Sequence, residues 1–356
     1  MRSRPGPYII FVLLFVLAGC GNVSTTQQHP NVQSPATVTR GVPTPTVLLS
    51  PTPSPTATPT AFQLKHIFYI MMENHDASQI FGNTADAPYL NQLANSYGIA
   101  TRYFGVTHPS LPNYLAAISG SFQGVFDDCV AGANVVCSGV AHLFSGSTLV
   151  DQLEAHQLTW KAYMQALPSP GFTGGYAGLY GQKHDPFMYF ATIRNNAARM
   201  QRIVPLTQLN ADIAAGALPN FAWITPDVCH DMHGASGSGV AGCDTYDGQI
   251  ALGDAFIHTL VPQIMHSSAW NEGAAIVITW DEGNSSEGCC KSPAGNGGGN
   301  VPLIVITSQG PRHIVLSSTA YNHYSLLGTI EQVWGLGCLA NTCGMGQGEL
   351  LLPLFE

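Results

Sequence analysis

The chain has little charge and very little of one sign. Asp, Glu, Lys and Arg make up 9% of 356 residues, and 12 are Lys or Arg against 21 acids, for a formal charge of −9. Proteins that bind nucleic acid neutralise phosphates with lysine and arginine, so a chain without a basic patch is excluded from that class. Its cysteines show no finger or ribbon spacing, which argues against a zinc–thiolate site. Residues 21–61 lack hydrophobic periodicity and are dominated by Thr, Pro, Ser, Gln and Val, with Pro43 to Thr60 close to a Pro-Thr repeat. Such a segment cannot bury a core. In a polyproline-like conformation, at ~3.1 Å per residue, it reaches on the order of 100 Å. It is expected to be a disordered stalk.

The N-terminal apolar run is also short. Arg2 and Arg4 precede an apolar stretch from Tyr8 to Leu17, followed by Ala18-Gly19-Cys20. This is too short for a comfortable membrane span, so residues 1–20 read as a signal peptide. The Leu-Ala-Gly-Cys ending resembles a bacterial lipoprotein box, in which Cys20 becomes the lipidated N-terminus and anchors the protein to the cell membrane. A plain signal peptide or an anchor helix is the alternative, and all three readings place the remainder outside the cytoplasm. Losing residues 1–20 removes two arginines and no acids, moving the formal charge to about −11. Besides Cys20 there are eight cysteines, an even number that suggests disulfides in an exported protein. Sequence neighbours pair most easily as 129–137, 229–243 and 338–343. The adjacent Cys289 and Cys290 are awkward to join to each other, and their pairing stays open.

Residues 62–356 suit one large α/β domain. His66 to Met72 and Ala274 to Trp280 are continuous apolar runs of strand length, as in a parallel sheet covered on both faces. Further strands are expected over Ile99–Phe104, Leu158–Met164, Asn220–Thr225 and Val301–Thr307. Helices are expected over 86–97 (with Pro88 in the first turn), Leu111–Ser119 (with Ser110 as N-cap), Thr148–Gln157, Leu206–Ala215, Asp247–His266 and Tyr324–Trp334. Ser169 to Pro186 and Cys289 to Asn300 read as long loops near the site. The alternation predicts a doubly wound, mostly parallel sheet with helices on both faces.

Polar clusters directly follow the strands. Glu73-Asn74 follows the first, Thr107-His108-Pro109-Ser110 the second, Asp227 to His233 the strand at 220–225, and Asp281-Glu282 the strand at 274–280. In a doubly wound sheet these tips share one edge and can converge. Carboxylates at half-buried strand ends call for a cation. Ser110 at a helix start lies beside unpaired N–H groups that favour an anion such as phosphate, and it becomes a nucleophile if a metal lowers its hydroxyl pKa. His108, two residues before Ser110, reads as a substrate contact, and so do Lys183 and His184 in the loop before Pro186. His142, His156, His258, His266 and His313 are most simply surface or packing residues.

Ser110-Leu111-Pro112-Asn113-Tyr114 resembles the Thr/Ser-x-Pro-Asn nucleophile motif of the alkaline phosphatase superfamily. Met72-Glu73-Asn74, Cys229-His230-Asp231-Met232-His233, Trp280-Asp281-Glu282-Gly283 and His323-Tyr324-Ser325 match, in order, its phosphoesterase branch of acid phosphatases and phosphocholine-preferring phospholipases C. The resemblance covers residues 64–340. It implies an alkaline-phosphatase-like fold and one metal ion held by Glu73, Asn74, Asp281 and Glu282, with Ser110 as nucleophile. It further implies that Asn113 contacts the phosphoryl oxygens. His230 and His233 would stabilise charge and protonate the leaving group, and His323 would be another phosphate contact. An all-oxygen ligand set favours Mg, Ca or Mn over Zn. If the imidazoles act as cations, acidic pH is favoured. His75-Asp76-Ala77-Ser78 stands where phospholipase members carry Arg-Ser-Phe-Asp, which favours the acid-phosphatase side and a small phosphomonoester substrate. A phospholipase C or other phosphodiesterase is the nearest rival. A non-catalytic surface binding protein with a structural cation is the rival of another class. No protein partner can be inferred.

Overall fold

The computed structural model describes residues 63–132 and 142–356. The signal peptide, the stalk, Cys20 and Cys137 lie outside the described residues, so the lipidation and the 129–137 pairing are not addressed by it. Among the described residues no helix is long and apolar enough to cross a membrane.

The two apolar runs are the centre of the fold. Strand β1 (His66–Met72) and a second strand, Ala274–Trp280, are buried at every position, as expected of strands covered on both faces. In chain order the sheet comprises β1, β2 (Gly98–Ala100), β3 (Trp160–Met164), β4 (Ile203–Pro205), β5 (Phe221–Thr225), β6 (Ala274–Trp280), β7 (Leu303–Thr307) and β8 (Val315–Leu316). Their spatial order is β8-β2-β7-β6-β1-β5-β3-β4. All pairings are parallel except those of β7 with β6 and β2, so β7 alone runs the other way. The expected strand over Ile99–Phe104 is in fact two. Gly98–Ala100 joins the main sheet, whereas Tyr103–Phe104 leaves it to pair with Tyr321–Asn322.

Helices α1 (Pro88–Ser96), α2 (Ser110–Ser119), α3 (Leu149–Ala155), α4 (Thr207–Ala214), α5 (Tyr246–Met265) and α6 (His323–Trp334) lie close to their expected bounds. Helix α2 packs on α3 and α6, while α1 packs on α5, which gives the sheet its two covering groups. All ten residues of α2 are buried. It ends at Gly120, whose φ of +68° and approach to the Leu339 carbonyl leave no room for a Cβ. Cys229–Cys243 and Cys338–Cys343 pair as expected. Cys289 and Cys290 are joined to each other, against the expectation that adjacency makes this awkward. The turn accommodates them with Cys290 and Lys291 both at positive φ. Ser169 to Pro186 is also not plain loop. It carries the hairpin Tyr176–Ala177/Tyr180–Gly181 and a 3-10 turn, Gln182–His184.

One helix charge makes a separate prediction. Glu331 of α6 is 2% exposed, accepts a hydrogen bond from Gln152 at 3.0 Å, and is pushed by burial up to about 7. Because the folded value exceeds the unfolded one of 4.5, the folded state loses stability as pH rises from 4.5 through 7. The loss is about 3 kcal/mol. Glu331→Gln is therefore expected to raise Tm by roughly 5 °C near pH 8 and to leave it unchanged near pH 4. An equal Tm change at both pH values rejects the buried-charge account.

Candidate active site

Register places the first two carboxylates. Met72 of β1 is level with Trp280 of β6, so Glu73 and Asp281 leave the sheet side by side. Asp281 N–H donates to the Met72 carbonyl at 2.9 Å, and the Asn74 N–H donates to Asp281 Oδ1 at 3.2 Å. Asn74 takes positive φ (+54°), a conformation asparagine tolerates better than most residues. On the other side of β1, the loop after β5 returns Asp231, whose carbonyl accepts the Glu73 N–H at 2.7 Å.

Ser110 is the first residue of α2 rather than its cap, which is Pro109. Its hydroxyl is thus free of the helix and faces the carboxylates. Oγ lies 3.0 Å from Glu73 Oε2 and 3.3 Å from Glu282 Oε1. Glu73, Asp281 and Asp231 are fully buried, and burial drives all three carboxyls upward, Glu73 to about 8. Glu282 is also raised by burial, against the pull of its hydrogen bond from His108. Among the described residues Asp281 Oδ2 makes no hydrogen bond although it is buried, and Glu73 Oε1 and Asp231 Oδ2 have only ion-pair contacts with the His184 ring. Ionised oxygens left unpaired away from water are costly, and a cation among them removes that cost. The residues present therefore fit a divalent ion. The ligand atoms of Glu73, His184 and His233 also lie within 4.8 Å of one another, which adds imidazole nitrogens to the available donors.

The histidines are placed differently from expectation. His184 lies between two acids, with Nε2 3.2 Å from Glu73 Oε1 and Nδ1 3.1 Å from Asp231 Oδ2, and Tyr114 stacks on its ring. Burial holds it well below its ordinary pKa, with Lys183 and His233 adding to the effect. His233 is lowered by burial and by Lys183; its Nδ1 bonds the Gly234 carbonyl and its Nε2 lies 3.2 Å from Lys183 Nζ. Burial would lower Lys183 as well, but Glu73 and Asp128 outweigh it and raise the ammonium pKa. Lys183 thus brings an ammonium to face Glu73 and Asp281. His230 is drawn off to Asp227, at 2.8 Å, and to Gln165.

Three expected substrate contacts prove to be occupied by the protein itself. Asn113 accepts from the Val106 and Thr107 N–H groups and donates to the Thr107 and Pro109 carbonyls, so it clamps the loop before Ser110 and has no amide hydrogen left for phosphate. His323 receives the Tyr103 hydroxyl at Nδ1 and donates from Nε2 to the Asp281 carbonyl at 2.7 Å. Completely buried and held down to about 4 by burial, it fixes the turn that carries Asp281. His108 bonds Glu282 through Nδ1 and the Ser285 carbonyl through Nε2, and the Glu282 bond raises its pKa. Held between these two partners, the His108 ring orients the Glu282 carboxyl. Two residues of the site were not singled out in the sequence. Asp231 stands between the assigned histidines of its own motif, which was a usable signal. Asp128 had none beyond being the second of two adjacent aspartates.

The arrangement defines a class: a doubly wound α/β protein with a carboxylate cluster and a helix-borne serine at the carboxyl edge of its sheet. Residues 83–337 match the Phosphoesterase family, and the chain belongs to it. It is 27% identical over 306 residues to an acid phosphatase of Aspergillus fumigatus, covering 84% of this chain and 61% of that protein. It is 26% identical over 276 residues to a phosphatidylinositol-3-phosphatase of Mycobacterium tuberculosis, covering 76% of this chain and 77% of that one. The chain thus spans about three fifths of the length of the fungal acid phosphatase. The fold is similar to that of a phosphonate monoester hydrolase of Agrobacterium radiobacter, with TM-score 0.51 at 12% identity over 82% of this chain and 77% of that one.

Proposed function

We propose that the chain is an extracytoplasmic, lipid-anchored, metal-dependent phosphoesterase that hydrolyses small phosphomonoesters through a phosphoserine at Ser110. The observation that carries this reading is the Ser110 hydroxyl within 3.3 Å of two carboxylates, beside the buried Asp281 Oδ2, which makes no hydrogen bond among the described residues. A structural cation site needs no serine nucleophile at a helix start, which disfavours a non-catalytic binding protein. Glu73, Asp281, Glu282 and Asn74 would hold one divalent ion, which would supply charge neutralisation and a more acidic serine hydroxyl.

The remaining steps belong to the chain. Ser110 Oγ forms a bond to phosphorus as the ester P–O bond breaks, and its proton has an acceptor in Glu73 at 3.0 Å. The departing oxygen takes a proton from the Lys183–His233 pair. Water then attacks phosphorus and gives its proton to the Lys183–His233 pair, while the Oγ–P bond breaks and Glu73 returns its proton to Ser110 Oγ, releasing phosphate.

A second reading has an observation of its own. An apolar cavity of about 570 Å³, lined by Leu167, Leu206, Leu209 and Leu260, shares Gln165 and Phe256 with His230. It suits an ester with an apolar leaving group, as in phospholipase C chemistry. Assays of p-nitrophenyl phosphate, bis-p-nitrophenyl phosphate and phosphatidylcholine vesicles, with and without chelator, separate the readings. Chelator-sensitive monoester turnover is expected; no turnover of any of the three rejects both enzymatic readings.

A further inference from the structure

We propose that Asp128 is a positioning residue that sets the preference for monoesters over diesters by clamping Lys183 beside the nucleophile helix. The inference rests on the phosphoesterase reading and adds a residue and a specificity to it.

The first turn of α2 has N–H groups without helical partners. One of them, Leu111 N–H, immediately follows the nucleophile and donates to Asp128 Oδ1 at 3.0 Å. The other oxygen of the same carboxylate accepts from Lys183 Nζ at 2.9 Å. One carboxylate thus bridges the start of the nucleophile helix and the ammonium. Both side chains are shielded, with Lys183 12% and Asp128 29% exposed. A second link runs parallel to the first. Gln182, buried next to Lys183, accepts the Ala131 N–H at 2.8 Å and donates to the Thr173 and Gly174 carbonyls. The loop bearing Asp128 and the turn bearing Lys183 are therefore held together at two points, which leaves the long lysine side chain little freedom.

The ammonium has three N–H bonds. Asp128 takes one and His233 Nε2, at 3.2 Å, a second, so one remains for a ligand. Around Ser110 stand the carboxylates and the His108 ring paired to Glu282, and Lys183 is the cation whose field reaches Glu73, Asp231 and Asp281. A monoester presents one more anionic oxygen than a diester. A fixed ammonium at the nucleophile end of α2 favours the substrate that brings that oxygen, and Asp128 determines where the ammonium stands.

The test measures kcat/KM for p-nitrophenyl phosphate and bis-p-nitrophenyl phosphate in wild type, Lys183→Met, Asp128→Asn, the double variant and Lys183→Arg. Lys183→Met is expected to lower monoester turnover about 10²-fold and diester turnover less than about 10-fold. Asp128→Asn is expected to move the monoester-to-diester ratio in the same direction by about 10-fold, with no further change when added to Lys183→Met, because the two act as one unit. Lys183→Arg should restore most of the ratio. Equal losses on both esters, or additive losses in the double variant, overturn the proposal. If Asp128→Asn does not fold, an unchanged ratio in Lys183→Met overturns it alone. A wild type inert toward both esters sinks the phosphoesterase reading itself, whereas an active wild type with unchanged ratios in the variants sinks only this proposal.

Discussion

Ser110→Ala is expected to lower phosphoester turnover by about 10⁴-fold while the protein stays folded. Losing a nucleophile that acts with its partners as one unit costs on this scale, because the residual machinery can only position water. The substitution removes a hydroxyl from a fully buried helix start without touching the backbone bonds of α2, and the helix itself makes no use of that hydroxyl. The stability cost is that of leaving the Glu73 and Glu282 oxygens with one donor fewer, about 1–3 kcal/mol. Rapid acid quenching of wild type during turnover should trap phosphate on Ser110, and the alanine variant should trap none. Activity within about tenfold of wild type rejects the covalent route and leaves direct attack by water.

Asp281→Asn is expected to abolish metal binding and turnover together, and at the same time to stabilise the metal-free protein. The two effects share a cause. Asp281 is fully buried, and its carboxyl is pushed well upward by burial first and then by the charges of Glu73 and Glu282. Without a cation this cluster is a concentration of like charge, and replacing one member with an isosteric amide relieves it. With a cation the same carboxylate is a ligand, and a metal at one hundred times its Kd adds about 2.7 kcal/mol to wild type. Thermal melts with and without chelator read both effects, and elemental analysis reads the metal. A metal-dependent rise in Tm that survives in Asp281→Asn shows that the ligand set lies elsewhere, with Glu73, His184 and His233 as the next candidates.

The parts of this site that depend on strand ends were legible in the sequence, and those that depend on side-chain partners were not. Two unbroken apolar runs ending in acids could only be central strands of a covered sheet. Their parallel register brings Glu73 and Asp281 together with no further information. Ser110 was legible as the start of a helix, but whether it would cap that helix or face the carboxylates turned on one residue of boundary. The direction in which a buried imidazole points is a different kind of question. His323 and His108 have the composition of phosphate contacts, yet each finds two protein partners brought from far along the chain. Asp128 and Lys183 meet across a sequence separation of 55, and no local pattern announces such a pair. The pairing of Cys289 with Cys290 was open in the sequence because it depends on a turn with two residues at positive φ, which adjacency alone does not announce.

The reversed strand β7 has a consequence for how such a protein can diversify. A parallel neighbour to β6 would have needed a crossover returning to the opposite edge of the sheet. Because β7 runs backward, with Leu303 level with Thr279, the chain leaves and re-enters the sheet at the same edge. The whole glycine-rich segment from Gly283 to Asn300 therefore stays at the mouth of the site. There Gly298 packs against Gly105, and Asn296 donates to Thr107, next to His108. Insertions and substitutions in this segment can reshape the wall that a substrate meets without altering the length or register of any strand. The fold thus keeps its carboxylate-bearing strand ends separate from a stretch of chain that is open to evolutionary experiment.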